Sequence, residues 1–131
     1  MANEAKCIET PTEFRRYTIG AGAVLPIGTL LKLTTPNTAT ATGADTDEFA
    51  GIAWEESNAT STKTEIVAAV NGVWDILATG AAVTAGLIVN VGGANQQVAA
   101  DSAAIVAGST IGKALEAANA TYGRVAVGRL V

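Results

Sequence analysis

Cys7 is the only thiol in this chain, and the composition contains no histidine at all. A Ser-His-Asp or Cys-His constellation needs an imidazole to take the nucleophile's proton, and histidine-ligated zinc or iron needs the ring nitrogen. Composition excludes both chemistries. A lone cysteine also leaves no intrachain disulfide to form. The carboxylates offer little more. Asp45-Thr46-Asp47-Glu48 is the densest acidic cluster, but a calcium loop needs further oxygen ligands and a glycine at set spacing. Ala44 and Phe49 stand where that pattern fails, so the cluster reads as a solvated turn ahead of a strand. Glu55-Glu56 makes a poor acid/base pair, because neighbours on a strand point to opposite faces and cannot readily flank one substrate bond.

Two glycine-rich stretches evoke phosphate binding and fail on spacing. Gly108-Ser109-Thr110-Ile111-Gly112-Lys113-Ala114 has three residues between its glycines, where the P-loop pattern has four and places Ser or Thr after the lysine. Gly20-Ala21-Gly22 lacks the third glycine of a dinucleotide fingerprint. Trp54 and Trp74 have the faces to stack on a sugar, which leaves a carbohydrate-binding module as one alternative. Filling a core or a subunit interface is the plainer use of a tryptophan among small residues. No catalytic residue, metal or cofactor is expected, and the chain reads as a non-enzyme.

The remaining information is architectural. Charged residues make up 15% of the chain and aromatics 5%. Ala, Val, Thr and Gly dominate, with alanines scattered among Val, Thr and Gly, a poor helix recipe that leans towards pleated structure. At 131 residues one domain is expected, large enough to need no disulfide or metal staple. The net charge of −4 gives no excess of cations to attract nucleic acid, and no polybasic run suits a membrane surface. The start, Met1-Ala2-Asn3-Glu4-Ala5-Lys6, lacks a signal peptide's apolar core. The most apolar run, Ile76 to Val91, is broken by Gly80 and Gly86 and falls short of a spanning helix. Synthesis in a reducing cytosol is therefore expected.

Short strands punctuated by turn residues follow from Val24 onward. They are expected at Thr29–Thr34, Thr38–Thr42, Phe49–Glu55, Thr64–Val70, Val73–Ala78, Leu87–Val91, Gln96–Ala99, Thr110–Leu115 and Gly123–Val131, with a single helical turn at Ala100 to Ala107. Such spacing suggests a small barrel or sandwich. Asn71-Gly72 is the preferred pair for a two-residue type I′ turn, which predicts a hairpin joining the strands on either side of it. The chain also repeats itself. Gly28-Thr29-Leu30-Leu31-Lys32-Leu33 returns as Gly86-Leu87-Ile88-Val89-Asn90-Val91, 58 positions on. Gly51-Ile52-Ala53-Trp54-Glu55 returns as Gly112-Lys113-Ala114-Leu115-Glu116, 61 positions on. Matches in the same order at similar offsets suggest two copies of one unit related by a pseudo-dyad.

Residues 1–22 differ from the rest. Positions 4 to 16 hold Glu4, Lys6, Glu9, Glu13, Arg15 and Arg16, six of the chain's twenty charges, without a sustained period of 2 or 3.6. They are expected to form an extended arm with a short strand at Phe14 to Ile19, ahead of a β-barrel domain over 23–131.

The order of segments is itself informative. It runs from Ile27-Gly28-Thr29-Leu30-Leu31-Lys32-Leu33 through an acidic turn into Phe49-Ala50-Gly51-Ile52-Ala53. It continues through Ile66-Val67-Ala68-Ala69-Val70-Asn71-Gly72-Val73-Trp74-Asp75 and Val83-Thr84-Ala85-Gly86-Leu87-Ile88-Val89, and closes with Ile111-Gly112-Lys113-Ala114-Leu115 and Arg124-Val125-Ala126-Val127. From Val24 to the C-terminus this resembles the DUF2190-like family of tailed-bacteriophage head decoration proteins, also called capsid cement proteins. The resemblance implies an all-β subunit, a small β-barrel or β-clip-like domain with pseudo-repeated halves and an extended N-terminal arm, commonly a homotrimer. It implies a virion location on the exterior of the capsid after synthesis in the host cytoplasm, with the major capsid protein as partner and stabilisation of contacts between capsomers as the role. In such proteins the N-terminal region often reaches onto the shell or an adjacent subunit. By position in the arm, the implied contact residues are Glu9, Phe14, Arg15, Arg16 and Tyr17. A tail-tube or collar subunit is the nearest alternative within a virion.

Overall fold

The computed structural model describes residues 3–99 and 108–129. Eleven strands and no helix occur among them. Strands β2 (Phe14–Thr18), β3 (Leu30–Thr35), β4 (Thr38–Ala41), β5 (Phe49–Ala53) and β6 (Glu65–Ala69) close into a barrel in the order β2-β4-β3-β5-β6. Strands β7 (Val73–Ala78), β8 (Ile88–Gly93), β9 (Gln96–Ala99), β10 (Thr110–Ala114) and β11 (Tyr122–Val127) close into a second, because β7 pairs with both β11 and β9. The remaining strand, β1 (Lys6–Glu9), lies outside the second barrel, against β7.

The two barrels are successive copies of one unit. Each strand of the first begins 57 to 61 residues before its counterpart in the second. The pairings correspond as well. The parallel contact of β2 with β4 at Thr18 and Thr38 recurs between β7 and β9 at Leu77 and Gln96. The isolated bridge Leu25–Ser57 recurs as Val83–Ala118. The hairpin turns at Pro36-Asn37 and Ala94-Asn95 both place asparagine at positive φ, 55° and 57°. Asparagine tolerates that left-handed conformation better than most residues, and a bulge in the incoming strand precedes each turn. The repeat read from glycine and apolar spacing is thus a repeat of whole closed sheets.

Side-chain alternation explains how the barrels join. Leu31, Ile66 and Ala68 turn into the core of the first barrel, beside Tyr17, Ile19, Leu25 and Ala39. Their strand neighbours Leu30 and Ala69, with Ile52 of β5, join the core of the second barrel, beside Trp74, Ile76, Val89, Ile111 and Val125. Period 2 sends adjacent residues to opposite faces. Leu30-Leu31 and Ala68-Ala69 therefore serve two cores at once, and both faces of these strands are apolar. At the junction the Leu30 N–H donates to Asn95 Oδ1 (2.9 Å), the Asn95 N–H donates to Thr42 Oγ1 (3.1 Å), and Thr42 Oγ1 donates to the Gly93 carbonyl (3.0 Å).

One expectation is corrected. Asn71-Gly72 does not turn a hairpin, because β6 and β7 do not pair with each other. One belongs to each barrel. A type I′ turn needs positive φ at both central residues, and here Gly72 (φ 96°) has it while Asn71 does not. Asn71 serves the arm instead. Its Oδ1 accepts the N–H groups of Thr12 and Glu13, and its Nδ2 donates to Thr12 Oγ1. The edges of β6 are taken by β2 and β5, so tertiary pairing overrides the local turn signal. The helical turn expected at 100–107 lies outside the described residues.

Candidate functional site

The residues of interest lie in the segment expected as an arm, and the structure treats its two halves differently. Lys6–Glu9 adds a strand to β7, pairing Lys6 with Asp75 and Cys7 with Trp74 before a bulge brings Glu9 opposite Val73. All four β1 residues are exposed. The strand is fixed at its start, where the Ala5 N–H donates to the Gly28 carbonyl (2.8 Å) and Tyr122 Oη donates to the Glu4 carbonyl (3.3 Å). Lys6 Nζ sits 4.4 Å from the centre of the Tyr122 ring, within range of a cation–π attraction. Phe14–Thr18, by contrast, is β2 and pairs along its whole length with β6.

The five expected contact residues therefore occupy three kinds of place. Glu9 is exposed at the end of β1. Phe14, Arg15 and Arg16 are exposed on β2. Arg16 lies 3.9 Å from Glu65 with both side chains more than half exposed, a geometry that contributes little stability. Tyr17 points inward. It is 8% exposed, and its hydroxyl donates to the Ala50 carbonyl at 2.7 Å. Burial pushes its phenol pKa up, with Arg15 pulling the other way. The Tyr17 side chain is a member of the first barrel's core.

Phe14 caps an aromatic stack. Its ring lies 5.5 Å from Trp54, and Trp54 meets Trp74 edge-on at 6.0 Å. Trp74 is 1% exposed, and its Nε1 donates to the Asn71 carbonyl, so it has no free face for a sugar. The row crosses from the first barrel to the second, with Phe14 as its outer end.

Chemistry is sparse elsewhere. Partial burial pushes the Cys7 thiol pKa up, and a thiol kept protonated is a weak nucleophile. Burial works against ionisation of Asp47, but the N–H groups of Gly43 and Ala44 and the nearby Lys32 ammonium outweigh it and hold the carboxyl below its ordinary value. That side chain is thus engaged in shaping its own loop. No three Cys, Asp or Glu side chains among the described residues are grouped so as to hold a metal ion. No helix among them is long and apolar enough to cross a membrane. An open cleft of about 260 Å³ lies where the arm passes between the barrels, bordered by Glu9, Thr12, Asn71, Val73, Val127 and Arg129. It is smaller than the clefts that usually enclose small molecules. No protein-family model matches the chain, and no curated protein matches it.

Proposed function

We propose that this chain is a capsid decoration protein, which binds the exterior of a tailed-phage head and bridges neighbouring capsomers through the major capsid protein, without turnover. The observation that carries this reading is the combination of a rigid double barrel with an exposed, strand-forming N-terminal segment. The barrels share a core through Leu30, Ile52 and Ala69, so they can bear load as one body. The β1 segment presents every side chain outward, and extended segments cover much partner surface per residue. Repetition around a shell would multiply individually weak contacts. The resemblance in segment order supports the same role, and with it a homotrimeric assembly that needs no cofactor, nucleic acid or membrane.

The test is co-sedimentation with expanded heads of the encoding phage that lack the protein. The full chain is expected to bind. A variant without residues 1–10 retains all ten barrel strands, so it should keep its circular dichroism spectrum while its binding falls sharply. Undiminished binding would remove the arm from the mechanism, and failure of the full chain to bind would sink the reading. Light scattering on the free protein gives its oligomeric state.

A further inference from the structure

The repeat makes one sheet edge informative by comparison with its twin. In the second barrel, β9 pairs with β7 at Leu77 and Ala78, while β1 covers the same edge at Val73 to Asp75. In the first barrel, β4 pairs with β2 at Thr18, and among the described residues nothing pairs with the edge at Phe14 to Arg16. These positions are counterparts, with Phe14 matching Val73 and Arg16 matching Asp75, each 59 residues apart. The Glu13 carbonyl and the Ile19 N–H point towards β6. By antiparallel alternation, Phe14 and Arg16 turn their N–H and C=O groups the other way, into the uncovered edge. The five β2–β6 pairs run without a bulge, so this edge is straight.

We infer that the Phe14–Arg16 edge of β2 is a docking slot for an extended acidic segment of another polypeptide, seated as β1 is seated on β7. The charges select this occupant. On β7, Asp75 stands opposite Lys6 of β1 in register, with its carboxylate held by Arg124 (3.1 Å). On β2 the matching position holds Arg16, with Arg15 beside it. The β1 strand of a second copy, seated as β1 is on β7, would bring Lys6 against Arg16, and a second β2 paired about Arg15 or Arg16 would oppose arginine to arginine. Like charges directly opposite one another destabilise strand pairing. A segment with a carboxylate opposite Arg16 and an apolar residue beside the exposed Phe14 ring meets both side chains. The outer edge of β1 is a poorer template, since a bulge between Cys7 and Glu9 breaks it and Lys6 guards it. Strand addition of this kind draws affinity from main-chain hydrogen bonds and specificity from side chains. The inference does not depend on the capsid reading.

The probe is a synthetic peptide of residues 4–10 carrying Lys6→Glu and Cys7→Ser, compared with the same peptide retaining Lys6. Titration into the isotope-labelled full chain, at up to roughly millimolar peptide, is followed by amide resonances. The Lys6→Glu peptide is expected to shift Phe14, Arg15 and Arg16 and to bind about fivefold tighter than its Lys6 counterpart. The Arg16→Glu variant, altered at an exposed side chain, should reverse that order. Equal binding of both peptides, shifts confined to Val73–Asp75, or no shift at all would overturn the proposal.

Discussion

Asn37 and Asn95 occupy the same turn of two successive barrels with nearly the same φ, yet one faces solvent and the other is fully buried, receiving the Leu30 N–H. Asn95→Ala would leave a buried donor unmatched and strain a positive-φ site, for an expected cost of about 3 kcal/mol. Asn37→Ala has the strain alone, about 1 kcal/mol. Urea midpoints of the two variants check the difference, and equal losses would remove Asn95 from the junction.

Gly28 and Gly86 form a second such pair, at φ 94° and 91°. A Cβ at Gly28 would press on the Ala5 carbonyl and Glu4, whereas one at Gly86 would meet nothing within 4 Å. Gly86→Ala should cost about 1 kcal/mol from backbone strain. Gly28→Ala should cost at least about 2 kcal/mol and loosen the arm. Faster labelling of Cys7 by a thiol reagent in Gly28→Ala, but not in Gly86→Ala, is the expected result.

The Asp47 carboxyl gives a pH dependence with a definite sign. Its folded pKa lies below the ordinary aspartate value of about 3.9. The stability it confers is present above that unfolded value and is lost as pH falls through the lower folded one. Asp47→Asn is expected to be about 1 kcal/mol less stable than the parent at neutral pH, and the gap should close at acid pH, once the carboxyl is protonated in the folded state as well. Denaturant curves at the two pH values decide it.

Trp74 and Trp54 touch each other but differ in burial. Trp74→Ala should cost about 3–5 kcal/mol through the cavity it leaves. Trp54→Ala, half-buried under Phe14, should cost about 1–2 kcal/mol. Thermal unfolding distinguishes them, and a tolerant Trp74 would contradict its place in the shared core.

Ten of the eleven strands were legible because glycine, proline and threonine-rich turns bracket β-branched runs, and those local preferences agree with the tertiary pairing. The β1 strand was not. Lys6-Cys7-Ile8-Glu9 is exposed throughout, so it carries no apolar alternation. It is a strand because β7 has an edge to cover, which no local pattern records. Tyr17 was legible as part of β2 but not as core, since its burial comes from Ala50 on a strand distant in sequence. Asn71-Gly72 carried a true turn signal whose meaning changed once β6 and β7 found partners in different sheets.

Carrying both barrels on one polypeptide frees them from a constraint that binds a symmetric dimer. In a dimer of single barrels one codon would set both edge positions, and a change that improved one would alter its twin. Fusion separates them, so one copy holds the acid Asp75 and is covered by β1, while the other holds the base Arg16 and pairs there with nothing among the described residues. The molecule can thus present two different edges from one repeated fold.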